Sequence, residues 1–121
     1  MEFWFLIFGA LLALVGSLFH GIIGHIKYIG NVNSSDLPDL SKSLSLVSWH
    51  VFTIFLIISS MTLIYVAFDR YLYIALYPII ATNLFGASLF IILGLSKHKI
   101  LLKMPGAYLM GGTAILALLG I

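Results

Sequence analysis

The stretch FWFLIFGALLALVGSLFHGIIGHIKY, residues 3–28, decides the class of this fold. It carries no charge before its lysine, and it is longer than the roughly 20 apolar residues that a helix needs to cross a bilayer. Residues 44–68 and 71–95 repeat this pattern, and residues 104–121 form a shorter apolar run. Lipid offers backbone amides no hydrogen-bond partner, and the alternation typical of a β-barrel is absent. The sequence therefore predicts an all-α integral membrane four-helix bundle with up-down-up-down topology.

The composition of the whole chain agrees with this prediction. Its residues are 62% hydrophobic and only 8% charged, whereas roughly a quarter of the residues in soluble domains are charged. We therefore expect a single transmembrane domain covering residues 1–121. The absence of cysteine excludes a disulfide framework, a thiolate metal site and a cysteine nucleophile. The net charge of +2 is too small and too scattered for nucleic-acid binding, so no nucleic acid is expected as a partner.

Charged residues mark the ends of the predicted helices. All the lysines fall in or beside the first and third connections, residues 29–43 and 96–103, whereas Arg70 alone occupies the second. The positive-inside rule then makes the first and third loops cytoplasmic and places both termini outside, in a multi-pass protein of the inner (cytoplasmic) membrane. Glu2 stands where a signal peptide carries basic residues, so the first segment is expected to be a retained helix.

Small residues form a stripe along one face of the first predicted helix, at steps of three or four residues that pass through His20. Such stripes let membrane helices approach closely. Asn83, near the middle of the third predicted helix, is a costly polar group whose usual role is a hydrogen bond between helices. The residues expected at helix contacts are Gly9, Ala13, Gly16, Gly24, Asn83, Gly86 and Gly112.

No acidic residue lies inside a predicted span. Glu2, Asp36, Asp39 and Asp69 all fall at helix ends or in loops. This excludes carboxylate-bridged di-iron sites, proton relays built on acids, and Ser-His-Asp triads with a buried acid. Phosphate-loop and dinucleotide-binding motifs are absent as well. The sequence therefore favours a protein that is not an enzyme.

Histidines are the remaining candidates for chemistry. His20 and His25 lie on the first helix, His50 on the second, and His98 follows the third. A rise of about 1.5 Å per residue places His20 about 12 Å and His50 about 10 Å inside the same end, so the two can meet at one depth. His25 lies about 140° around an α-helix from His20, so both face one centre only if segment 21–24 is distorted.

Two interpretations of these histidines stay open. In the first, His20 and His50 hydrogen-bond each other or nearby hydroxyl groups and hold the first two helices together. In the second they bind a cofactor: haem b between His20 and His50 with Trp49 stacked on it, or copper or zinc held by His20, His50, His25 and His98. Adjacent helices lie only about 8 to 10 Å apart, so a haem requires these two helices to sit diagonally in the bundle.

A glycine-histidine-glycine pattern in the first helix, a polar loop and Trp-His in the second helix together resemble a family of small uncharacterised bacterial four-helix integral membrane proteins. The residues that carry the resemblance are Gly16, His20, Gly24, Trp49, His50, Pro105 and Gly106. In that family an acid follows the second glycine, whereas this chain has a histidine there. The resemblance implies a four-helix bundle and no established activity.

The leading functional hypothesis is an accessory or assembly subunit that sits in the lipid bilayer and packs against other membrane subunits or forms a homo-oligomer. The chain has little mass outside the predicted spans, and its glycine stripes favour helix partners. One alternative is a haem- or copper/zinc-binding redox or metal-handling membrane protein that uses its intramembrane histidines. The second alternative is an oligomeric small transporter, in which proton coupling would fall to histidine alone.

Overall fold

The computed structural model describes residues 1–121, and it contains helices and turns but no strand. The prediction of an all-α chain is confirmed. Helix α1 continues without a break into a π-helix and the short helix α2, while 3₁₀ segments precede the last two helices. In chain order the elements are α1 (Glu2–Leu18), the π-helix (Phe19–Ile29), α2 (Gly30–Asn33), α3 (Asp39–Phe68), a 3₁₀ segment (Arg70–Ala75), α4 (Leu76–Leu95), a second 3₁₀ segment (Lys99–Lys103) and α5 (Gly106–Leu119).

Three helical segments are long and apolar enough to cross a membrane, namely Glu2–Asn33, Asp39–Phe68 and Arg70–Leu95. Helix α5 is equally apolar but shorter, at 14 residues. Large apolar side chains remain exposed on every long helix, whereas a water-soluble protein rarely exposes such large contiguous apolar surfaces. These helices indicate a membrane protein.

Several helix boundaries differ from the predicted ones. The first helical stretch continues to Asn33 rather than ending at residue 28, and α5 spans Gly106–Leu119 rather than residues 104–121. Helix α3 begins at Asp39 rather than at residue 44, because Pro38 has the extended backbone that suits the position before a helix, and an acid in the first turn interacts favourably with the helix dipole. Residues 71–75 form a 3₁₀ segment instead of an α-helix. The Asp69 side chain accepts a hydrogen bond from the amide of Tyr71, and this local bond competes with the α-helical pattern at that point.

Helices α1 and α5 are the two inner helices of the fold, since α1 packs along α3 and α5, and α5 packs along α1 and α4. Helix α4 packs along α5, whereas α3 and α4 touch each other little. The best-packed region lies at the end of the bundle where α3 and α4 are connected. Its buried cluster consists of Leu6, Ala10, Leu63, Val66, Ala67, Leu76, Ile80, Ala114 and Ala117. The other half of the bundle is therefore less tightly filled.

Arg70 ties the helix ends together beside this cluster. One guanidinium nitrogen donates to the carbonyl of Gly120 at 2.7 Å, and another donates to Glu2 Oε2 and to the carbonyl of Ile121, both at 3.1 Å. A cation at the carboxyl end of α5 also interacts favourably with that helix dipole. The first and last residues of the chain therefore lie at the same end of the molecule as the connection between α3 and α4.

We expect Arg70→Gln to lower the free energy of unfolding by about 1 to 2 kcal/mol, because charge-assisted hydrogen bonds to the end of α5 are lost. The ion pair with Glu2 contributes little to this value, since both of its side chains are substantially exposed. The measurement is SDS-induced unfolding of the detergent-purified protein followed by circular dichroism. Lys97→Gln, an exposed lysine without an ion pair, is the control, and equal losses in both variants would contradict the assignment.

Candidate functional site

The π-helix Phe19–Ile29 positions the histidines of the first span. Its hydrogen bonds join residues five apart, as in the bond from the amide of Gly30 to the carbonyl of His25. Residues at this spacing lie on nearly the same face, so His20 and His25 both point towards α3. The sequence indicated that both histidines could face one side only if segment 21–24 departed from an α-helix, and the π-helix is such a departure. π-Helical turns are rare and occur frequently at functional sites.

His20 is held by three side chains of α3. Its Nδ1 lies 2.9 Å from Thr53 Oγ1, its ring stacks on Trp49 with centroids 4.0 Å apart, and Phe52 meets it edge-on at 5.1 Å. The Thr53 hydroxyl also lies 3.4 Å from the carbonyl of Trp49, its neighbour one turn earlier on α3.

Trp49 clamps the π-helix against α3. Its Nε1 donates to the backbone carbonyl of His20 at 2.8 Å. The indole ring also stacks on the imidazole of His20, so Trp49 contacts both the backbone and the side chain of that residue. A Cβ added at Gly24 would lie 2.5 Å from Trp49 Cζ2, and one at Gly21 would lie 2.8 Å from Thr53 Cγ2. Glycine at both positions is what lets the indole and the threonine approach this closely.

The other histidines do not join this group. His25 Nδ1 lies 3.0 Å from His50 Nε2, and these two exposed or half-exposed rings share one hydrogen bond. His98 is exposed after α4. The structure contains no group of three or more histidines and acids that could hold a metal ion, so it does not assemble the four-histidine set. His20 and His50 each bond a different partner across the helix interface, which is the kind of contact that the first interpretation describes.

A haem between His20 and His50 also lacks the arrangement it requires. Their helical segments belong to neighbouring spans that pack directly against each other and are not diagonal in the bundle. Trp49 covers a face of the His20 ring at van der Waals distance. The diagonal placement of the two helices that a haem between these histidines requires is therefore not present.

Beside His20 the four long helices enclose a partly open cavity of ≈ 310 Å³. It lies in the half of the bundle away from the packed cluster, and most of its lining is hydrophobic. The hydroxyl of Tyr28 donates to Met104 Sδ at 3.5 Å and joins the π-helix to the start of α5 at this end. The aromatic residues of the wall are Phe19, Tyr28, Trp49, Phe52 and Phe90.

Asn83 is the most deeply buried polar group on the cavity wall, with no exposed surface. Its Nδ2 donates to the carbonyl of Ile79 at 2.9 Å, while its Oδ1 has no hydrogen-bond partner. A carbonyl can only accept, so the amide nitrogen must face Ile79 and the oxygen must face away. Asn83 bonds its own helix, not a neighbouring one, which differs from the interhelical bond that the sequence suggested.

The small residues predicted at helix contacts divide into two groups. Gly9 packs closely, since an added Cβ would lie 3.4 Å from Leu116 Cβ, and a Cβ at Gly112 would lie 2.8 Å from Leu12 Cδ1. A Cβ at Gly86 would clash with the end of the Met110 side chain. Gly16 has only ordinary contacts, with Leu56 Cδ1 at 3.8 Å from an added Cβ, and it lines the cavity together with Ala13.

The sequence did not single out several residues of the cavity wall. Phe52, Leu56 and Phe90 are apolar residues in apolar helices, where nothing distinguishes a cavity-facing side chain from one that faces lipid. Thr53, which bonds His20, did carry a signal in the sequence. It follows His50 by three residues, and a hydroxyl group at that spacing indicates a polar contact between spans.

A comparison with known protein families, with curated proteins and with solved structures finds no match for this chain. The resemblance to a four-helix bacterial family stays a prediction. The functional argument therefore rests on the geometry of the cavity and its wall.

We expect Gly24→Ala to displace the Trp49 ring, because the added methyl group occupies the position of its Cζ2 edge. Loss of the bond to the His20 carbonyl should lower the stability by about 1 to 3 kcal/mol. The measurement is thermal unfolding together with the near-ultraviolet circular dichroism of Trp49 in a Trp4→Phe background. Gly30→Ala is the matched control, since nothing lies within 4 Å of the added Cβ. Identical spectra and stabilities for the two variants would contradict the clamp.

Proposed function

We propose that this chain is a non-enzymatic, four-helix membrane protein that binds a small apolar molecule of the bilayer in the cavity between its helices. The observation that carries the proposal is the ≈ 310 Å³ cavity itself, with its mainly hydrophobic wall and few polar groups. Ligand sites in proteins have this character, and they occur between the helices of bundles. Well-packed interiors hold few voids larger than a water molecule, so a cavity of this size is unusual and supports the binding of a ligand.

The contacts at the two ends of the bundle support a placement across the inner membrane with α5 as the fourth span. The bond between Tyr28 and Met104 brings the first and third connections, which carry the lysines, to one end. The contacts of Arg70 with Glu2 and Gly120 bring the remaining connection and both termini to the other end. The positive-inside rule then makes the lysine-bearing end cytoplasmic.

The route into the cavity supports a ligand that partitions into lipid. Helices α3 and α4 both contribute to the cavity wall but touch each other little. The bundle is therefore least closed along the side between these two helices, and in a membrane that side faces acyl chains. The subunit, metal-binding and transport hypotheses stay predictions, because no contact within this chain favours any of them over binding in the cavity.

The chain has no cysteine, so single cysteines report its orientation without a background. We expect Tyr71→Cys, at a residue that is 94% exposed, to react with an impermeant maleimide added to intact cells. Asn33→Cys, in the first connection, should react only after the inner face of the membrane is made accessible. Labelling of Asn33→Cys from outside would reverse the proposed orientation.

Occupancy of the cavity is measured through Trp49, which lies on its wall. In a Trp4→Phe background Trp49 is the only tryptophan, and 4-bromotoluene quenches an indole that it contacts. We expect saturable quenching in lipid nanodiscs, because a cavity holds a limited number of ligands. Gly16→Leu, which fills space on the wall, should weaken the binding of the probe at least several-fold.

Val15→Leu is the matched control, since this neighbouring side chain is 52% exposed on the outer face of α1. It should leave quenching unchanged. Quenching that rises linearly with the membrane concentration of the probe, and that is equal in all three proteins, would show collision from the lipid phase and overturn the proposed function.

A further inference from the structure

We propose that Met110 determines the size of the ligand, because its side chain forms the floor of the cavity and lies in a notch that Gly86 leaves on α4. Together with the uncharged wall, this floor assigns the ligand to neutral, apolar molecules of the size of one substituted ring. This inference rests on the proposed function and adds to it the ligand class and a residue that determines specificity.

The first step is the way in which glycines of α4 and α5 receive side chains from the facing helix. A Cβ added at Gly106 would lie 2.8 Å from Phe90 Cζ. One turn farther from the lysine-bearing end, a Cβ at Gly86 would lie 3.0 Å from Met110 Sδ and would clash with Met110 Cε. The end of the Met110 side chain therefore occupies the space that a larger residue at position 86 would need.

Met110 lies at the boundary between the cavity and the packed cluster. It lines the cavity, and Ala114, about one turn later on α5, belongs to the buried cluster. Only 3% of Met110 is exposed, so protein surrounds nearly all of its side chain. The cavity ends at this side chain, and it is also the free space next to it.

The pair of residues gives the volume of the cavity a definite response to mutation. Methionine is unbranched and flexible, so its end can move when the notch is filled. Gly86→Ala fills the notch and turns the end of Met110 towards the cavity, which becomes smaller. Met110→Ala removes Cγ, Sδ and Cε and opens the notch to the cavity, which becomes larger.

The charge of the wall defines the class of the ligand. No lysine, arginine, aspartate or glutamate lines the cavity. An anion or a cation buried there would lack a partner of opposite charge, and its burial would be costly. The ligand class is therefore neutral and apolar.

The volume of the cavity sets the size of the ligand. A cavity of ≈ 310 Å³ corresponds to about ten water molecules at their share of liquid volume. A methylene group is nearly as large as a water molecule, so this space fits one substituted ring or a short branched chain. It is too small for a sterol.

The first test compares 4-bromotoluene with 1-bromo-4-hexylbenzene, which has a longer chain on the same ring. Both are titrated in nanodiscs at equal concentrations in the membrane, with quenching of Trp49 in the Trp4→Phe background as the readout. In this protein the hexyl chain finds no space beyond Met110, so we expect it to bind no more tightly than 4-bromotoluene. In Met110→Ala the chain fills the added space and gains dispersion contacts, so 1-bromo-4-hexylbenzene should bind about threefold more tightly than 4-bromotoluene.

The second test uses the contact between the two residues. Gly86→Ala should weaken the binding of 4-bromotoluene about fivefold, and the double variant Gly86→Ala/Met110→Ala should restore it to within about twofold, because residues in contact are energetically coupled.

Two matched controls accompany these variants. Gly111→Ala adds the same methyl group on α5 at a position outside the cavity wall, where its nearest contact is an ordinary one, 3.8 Å from Ala87 Cβ. Met61→Ala shortens a methionine of α3 that is 65% exposed. Both variants should bind the two probes as the Trp4→Phe protein does.

The outcomes separate the two proposals. Tighter binding of 1-bromo-4-hexylbenzene than of 4-bromotoluene to the Trp4→Phe protein, or the same relative binding of the two probes in Met110→Ala, would overturn the role of Met110 and leave the cavity function standing. Unchanged binding of 4-bromotoluene in Gly86→Ala would overturn the role of the notch. Saturable quenching by 4-bromobenzoate would overturn the neutral ligand class. Absence of saturable quenching by any probe in the Trp4→Phe protein would overturn the proposed function itself.

Discussion

The structure depends on the hydrogen bond from Trp49 Nε1 to the backbone carbonyl of His20. In lipid, every backbone polar group must find its partner within the protein. A π-helix changes which amide each carbonyl pairs with, so an unusual backbone at membrane depth needs side chains that accept and donate beside it. Trp49 meets this need at the carbonyl of His20. Thr53 bonds the His20 ring, and together these contacts fix His20 on the wall of the cavity and hold the π-helix against α3.

The two halves of the bundle differ in packing: one contains the buried cluster and the other contains the cavity. At one end Leu6, Leu63 and Leu76 are completely buried, and Arg70 bonds the ends of the helices beside them. This end is the most tightly packed part of the bundle. An open cavity sacrifices dispersion contacts and lowers stability, so a small bundle can keep one only if its remaining contacts are dense. The packed cluster is therefore a physical condition for the cavity, not an unrelated core.

The features that were predictable from the sequence follow from composition and length. A run such as residues 3–28 has to be a helix in lipid, whatever its neighbours are. The π-helix was not predictable from the sequence. Hydrophobic residues occur at almost every position, so their pattern does not show whether the backbone hydrogen bonds join residues five apart or four apart. His25 shows the consequence: α-helical geometry turns it away from α3, whereas the real backbone brings it within 3.0 Å of His50.

The cavity was unpredictable for a different reason, since it arises from the small contact between α3 and α4 and is a property of all four helices together. Asn83 alone carried a local signal, as a costly amide in the middle of an apolar span. The sequence suggested a partner on another helix, but the amide bonds its own helix and leaves its oxygen unpaired. A site built around a buried hydrogen-bonding group discriminates strongly against ligands that cannot pair with it, whereas an apolar wall discriminates only weakly by size. The wall of this cavity is mostly hydrophobic, so its size and shape are the main basis for selecting the proposed ligand.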